Sequence, residues 1–169
     1  MTEIEEGGLK FSFPDHCEAT KYDAWEFYRQ RFQSVAGGSK AVDILCLAQD
    51  ISWLIEIKDY RWHQRTNPVD LGDEVAIKVR DTLAGLAAAS ANASDEAERT
   101  LAERALSKQR WRIALHLEQQ SMGATRLRPQ AISITDVLKK LRPRLKAIDV
   151  EPMILSLQTP GFGVPWTVQ

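Results

Sequence analysis

At 169 residues the chain has room for one buried core but not for two independent ones, and its 44% hydrophobic and 27% charged residues are ordinary for a globular protein. No apolar run approaches the roughly 20 residues that cross a bilayer, and the acidic start Met-Thr-Glu-Ile-Glu-Glu is unlike a secretory signal, so a cytoplasmic protein without membrane association is expected. Cys17 and Cys46 lack ligand spacing and imply no disulfide framework. The net charge of −1 hides an asymmetry. Residues 104–146 hold eleven basic and two acidic side chains, whereas residues 1–103 hold eleven basic and nineteen acidic ones. Such a segment either faces a polyanion or pairs with the acidic half.

The first predicted element is a helix over Asp15–Gln33, with Asp15 as cap, Glu18 completing a capping box, and Trp25, Tyr28 and Phe32 as its buried stripe. Gly37-Gly38-Ser39 ends it. Two buried strands follow, Ala41–Leu47 and Ile51–Tyr60, joined by a link short enough for a hairpin. A polar loop over residues 62–69 leads to a long helix, Asp70–Ala89, and a second helix is expected over Glu96–Arg110. A strand at Trp111–Glu118, a loop at 122–128, and a helix at Ser133–Lys146 interrupted near Pro143 come next. Pro152–Leu157 is a last short strand, with Val164–Val168 either paired to it or docked on a neighbouring subunit. The order implies a mixed α/β fold, a central mixed sheet flanked by helices, in one domain over 1–169 with a core at about 14–118 and a C-terminal helix and strands at 131–169.

Charge inside apolar strands is the unusual feature. Glu56 and Lys58, two residues apart in a strand, share one face, and a hairpin brings Asp43 beside Glu56. Val or Ile would fit these positions, and buried charge is costly unless it pairs, binds a metal or opens to a cleft. Two carboxylates suit Mg²⁺, with Mn²⁺ as substitute, and a neighbouring lysine can position water or steady a phosphate. A structural Glu56–Lys58 ion pair is the bland alternative. Ser39 and Lys40 before the first strand suit either a phosphate contact or an ordinary turn, and Arg61 and Arg65 after the second suit either nucleic-acid backbone contacts or a solvated loop.

Val42-Asp43 followed by Ile55-Glu56-Ile57-Lys58 resembles the PD-(D/E)xK signature of restriction-endonuclease-like nucleases, with valine in the proline place, and Gly37-Gly38-Ser39 is similar to Holliday-junction resolvases and Mrr-type endonucleases. The resemblance implies a restriction-endonuclease-like core in α-β-β-α-β order and a metal-dependent hydrolase cutting phosphodiester bonds in DNA. Asp43, Glu56 and the Ile57 carbonyl would hold the metal and Lys58 would position water. Glu18 would add an acid from the first helix, with Glu26 or Asp15 as alternatives, and Lys78 would lie near the phosphate. The alternative is a non-cutting subunit of that fold that binds nucleic acid, RNA not excluded, or assembles as a homodimer or in a larger complex.

Overall fold

A computed structural model describes residues 1–120 and 131–169. The loop expected at 122–128 lies outside the described residues. Two antiparallel strands, β1 (Thr2–Glu6) and β2 (Leu9–Phe13), open the chain, and Gly7 and Gly8 turn between them at φ 57° and 73°. That left-handed pair is what a two-residue hairpin needs, and Leu9, Phe11 and Phe13 alternate inward from it.

The helix expected over Asp15–Gln33 is not formed. Cys17–Lys21 is strand β3, Tyr22–Ala24 is a 3₁₀ turn and Tyr28–Phe32 a π-helical turn. Trp25, Tyr28 and Phe32 are buried as their spacing implies, but on short turns, because an edge of the main sheet captures the segment before them.

That sheet runs β3-β4-β5-β6-β7, with β4 at Ile44–Ala48, β5 at Ile51–Tyr60, β6 at Arg110–Gln119 and β7 at Met153–Leu155. Strands β3, β4 and β5 pair antiparallel, and β5, β6 and β7 pair parallel. The parallel step needs a crossover, supplied by α1 (Leu71–Asn92) and α2 (Glu96–Ser107). Asp70 caps α1 by accepting from Gly72 N at 2.9 Å, and Asp95 caps α2 by accepting from Glu98 N at 3.0 Å. Helix α3 (Ile134–Leu145) is capped by Ser133, and Pro143 is accommodated within its last turn.

The helices cover one face of the sheet through Leu45, Leu54, Val79, Leu86, Ile113 and Leu115. On the other face lies a three-stranded sheet of β1, β2 and a last strand at the C-terminal tail, with Phe11, Phe13 and Trp166 packed on Ile44, Ile55 and Ile57. The tail strand β8 (Thr167–Val168) therefore pairs with β2, not with the strand at 153–155. The fold is mixed α/β with two sheets. The α-β-β-α-β order fails at its first member, where β3 stands in place of a helix. No described helix is long and apolar enough to cross a membrane.

Candidate functional site

Strand β4 begins at Ile44, opposite Ile55, so β5 runs on for five residues past its antiparallel partner. Asp43 occupies the vacated edge. Its Oδ2 accepts from Ile57 N at 2.6 Å, and its carbonyl accepts from Tyr22 N at 2.9 Å. A strand residue points its N–H and C=O to the same edge, so the Ile57 carbonyl also faces the Asp43 side. Helix α1 fixes the approach to Asp43: Lys40 N donates to Asp81 Oδ2 at 2.9 Å and Val42 N to Thr82 Oγ1 at 3.0 Å.

On the helix-facing side of β5 the charges alternate. Lys78 of α1 lies 3.7 Å from Asp43 Oδ1 and 2.6 Å from Glu56 Oε1. Lys58 lies 3.0 Å from the same Glu56 oxygen and 2.7 Å from Glu74 Oε1. Arg65 and Asn67 close the chain on Glu74 Oε2, at 2.6 and 3.0 Å. Both lysines thus sit on one oxygen of Glu56, and its other oxygen, Oε2, is buried without a partner.

Glu56 is only 1% exposed. Burial, reinforced by the Asp43 charge, pushes its carboxyl up to about 7 against the pull of Lys78 and Lys58. Burial also raises Asp43, opposed by Lys78 and the Ile57 N–H. Burial works against the Lys58 ammonium, but Glu56 and Glu74 outweigh it and raise its pKa. Glu74 is drawn down because its bonds to Lys58 and Arg65 exceed its own burial cost.

The structure therefore brings Asp43, Glu56, Ile57, Lys58 and Lys78 together. Ser39 and Lys40 line a cavity of about 340 Å³ with Asp43, Lys78, Tyr28 and Asp23, although the Ser39 hydroxyl is engaged on the Phe32 carbonyl at 2.5 Å. Arg65 reaches the cluster by way of Glu74. Arg61 does not: its guanidinium grips Asp59 at 2.9 and 2.7 Å, one residue out of phase with Lys58 and so on the opposite face. Glu18 stands on β3, paired with Arg104 and lining a different cavity, so the expected first-helix acid is absent with its helix. Glu26 is exposed, and Asp15 is exposed and paired with the chain's own amino group.

Two acids near the site were not anticipated, Glu74 and Asp23. Glu74 carried a readable signal, since it precedes Lys78 by one helical turn on the same face. His116 is buried on the far face, 2.9 Å from Glu118. Several members of the basic segment pair with acids of the first half, among them Arg104 with Glu18, Lys140 with Asp70 and Arg144 with Asp73.

Among the described residues no group of three or more His, Cys, Asp or Glu gathers for a metal. The oxygens of Asp43 and Glu56, with the Ile57 carbonyl beside them, are hard donors of the number Mg²⁺ takes from protein when water and phosphate complete its shell. The unpartnered Glu56 Oε2 fits that use, while the Lys78 ammonium occupies the bridging position between the carboxylates.

Fold and site together define a mixed α/β protein with a buried carboxylate–lysine cluster at one end of its sheet. Among curated proteins the chain is similar to the cysteine–tRNA ligase of Neisseria meningitidis serogroup A / serotype 4A (strain DSM 15465 / Z2491), at 32% identity over 170 residues that cover 82% of this chain and 24% of that protein. The chain thus corresponds to about a quarter of the length of that relative. No protein-family model matches, and no solved structure matches. These findings overturn the resemblance to PD-(D/E)xK nucleases and the expectation of a DNA-cutting hydrolase. They equally leave the non-cutting nuclease-fold subunit without support: the relative found is a cysteine–tRNA ligase, and Asp43, Glu56 and Lys58 here belong to an ion-pair network with Lys78 and Glu74.

Proposed function

We propose that this chain is an RNA-engaging module related to part of a tRNA ligase, and that it holds the phosphate backbone of tRNA at the Asp43–Glu56 cluster. The similarity to cysteine–tRNA ligase over 82% of the chain carries the reading. The coverage of a quarter of that protein supports an accessory part rather than the whole ligation reaction. The cluster suits backbone binding. Asp43, Glu56 and the Ile57 carbonyl would hold a divalent cation that a phosphate oxygen could ligate, and Lys58, Lys78 and the exposed Lys40 would complete the cationic surroundings. Phosphate contacts position a nucleic acid without reading its sequence, so tRNA selectivity rests on shape and on unpaired bases.

The test is binding of a tRNA transcript and of duplex DNA at one fixed ionic strength in Mg²⁺, for the wild type and Asp43→Asn. Preferential retention of tRNA, weakened about tenfold by the substitution, is expected. Equal affinity for duplex DNA, or no affinity for tRNA, overturns the reading.

A further inference from the structure

Two aromatic side chains are exposed far beyond what packing explains: Trp62 at 78% and Phe162 at 98%. They leave the sheet at the same end. Trp62 follows the carboxyl end of β5 by two residues, and Phe162 follows that of β7, with β6 between those strands. Asp43 and Lys58 lie at this end too, since the amino end of antiparallel β4 adjoins the carboxyl half of β5. Open α/β sheets bind ligands outside the carboxyl ends of their strands.

Neither residue sits on a loose loop. Before Trp62, the Arg61 side chain is clamped on Asp59 and the Arg61 carbonyl accepts from Gln120 Nε2 at 2.5 Å. After it, Arg65 is bonded to Glu74 and to the carbonyls of Asn67 and Val69. Phe162 stands between Gly161 and Gly163, both left-handed at φ 82° and 81°. A Cβ on Gly161 would come within 2.5 Å of Leu155 Cδ2, so this turn lies close against β7. The two rings are presented by anchored backbone while largely open to solvent.

We propose that Trp62 and Phe162 are stacking platforms for unpaired bases of a single-stranded RNA segment that crosses the carboxyl ends of β5, β6 and β7 on its way to the phosphate site. Single-strand binding requires aromatic faces for bases and cations for the backbone, and Trp62 and Phe162 leave the same end of the sheet that holds Lys58 and Lys78. The proposal rests on the RNA reading and names its substrate form: single-stranded RNA rather than a duplex.

The experiment measures binding of a labelled oligoadenylate of about ten nucleotides, and of an abasic strand of the same length, to the full chain and to Trp62→Ala, Phe162→Ala and Trp62→Phe. Expected is a ten- to hundredfold loss for Trp62→Ala, a smaller loss for Phe162→Ala, near-complete rescue by Trp62→Phe, and weak binding of the abasic strand to every protein. Wild-type affinity in Trp62→Ala, or equal affinity for abasic and normal strands, overturns the stacking while leaving RNA binding intact. Failure of the wild type to bind any RNA overturns both readings. A loss of self-association in Trp62→Ala with RNA affinity unchanged assigns the aromatics to a second copy of the chain and likewise refutes the proposal. Both side chains are exposed, so the variants fold; urea midpoints within experimental error of the wild type check this.

Discussion

Glu56→Gln in metal-free protein isolates the energetic cost of the site. The glutamate carboxyl rises from an ordinary 4.5 to about 7 in the folded chain, chiefly by burial. A group whose folded pKa is raised gives stability that is fully present below its unfolded pKa and lost as pH rises through the folded one. Between pH 5 and pH 8 the wild type should therefore lose about 2 to 3 kcal/mol through this residue, from roughly 1.4 kcal/mol per pH unit across most of the window. Asp43, also raised by burial, adds to the slope in the same direction. Asp43 titrates in both proteins, and removing the Glu56 charge can only lessen its contribution in the variant, so the difference between the two proteins is at least the Glu56 loss, about 2 to 3 kcal/mol. The assay is urea unfolding in EDTA at four pH values from 5 to 8, comparing slopes rather than absolute stabilities, since glutamine also costs Lys78 and Lys58 their shared partner. Parallel curves for wild type and variant would refute the placement of a desolvated carboxylate at Glu56.

Lys78→Met removes the ammonium between Asp43 and Glu56 and should cost about 1 to 2 kcal/mol at pH 7, less than a typical broken buried pair because Glu56 can take a proton. Added Mn²⁺ should restore most of that loss in a thermal melt, and an unchanged melt would count against cation binding there. Asp149→Ala strips Ile113 N of its acceptor at 2.8 Å within the buried centre of β6 and should destabilise by about 2 kcal/mol in urea. Gly85→Ala forces a Cβ onto the Tyr22 hydroxyl and should destabilise by about 1 to 3 kcal/mol. Because that hydroxyl is buried without a partner, Tyr22→Phe alone should cost nothing and should rescue Gly85→Ala, as a double-mutant cycle would read out.

The sequence was most readable where a pattern answers to one local cause. Apolar β5 runs over the residues read as its strand, and α1 begins one residue after its predicted start, where Asp70 caps it. Charge at Glu56 and Lys58 within an apolar run disclosed the cluster, because nothing in strand packing calls for it. The segment 15–33 misled because Trp25, Tyr28 and Phe32 satisfy helical spacing equally well on two short turns, while the pairing of Cys17–Lys21 with β4 is a tertiary contact with no local mark. Glycines at 7 and 8, between alternating residues, were a local signal for the first hairpin that the sequence reading did not use. The chemistry of the cluster was legible and its purpose was not: the same carboxylates and lysines serve ion pairing, metal binding or phosphate binding.

The charge balance of the cluster indicates how it should work. Asp43, Glu56 and Glu74 stand against Lys58, Lys78 and Arg65, so the network is neutral when all six are ionised and carries no excess negative charge to draw in a cation. A divalent ion entering alone must displace Lys78 and force Glu56, poised near 7, to ionise fully. An RNA phosphate arriving with the ion brings the missing negative charge and gives the displaced ammonium a new partner. Metal and RNA should then bind with positive coupling, each tightening the other by the same factor, about tenfold. Mn²⁺ titration followed by electron paramagnetic resonance, with and without saturating oligoadenylate, measures one side, and RNA titration at zero and saturating Mn²⁺ measures the other. Equal Mn²⁺ affinity in both states would refute the coupling, since a cation that needs no phosphate would have to overcome the lysines by itself.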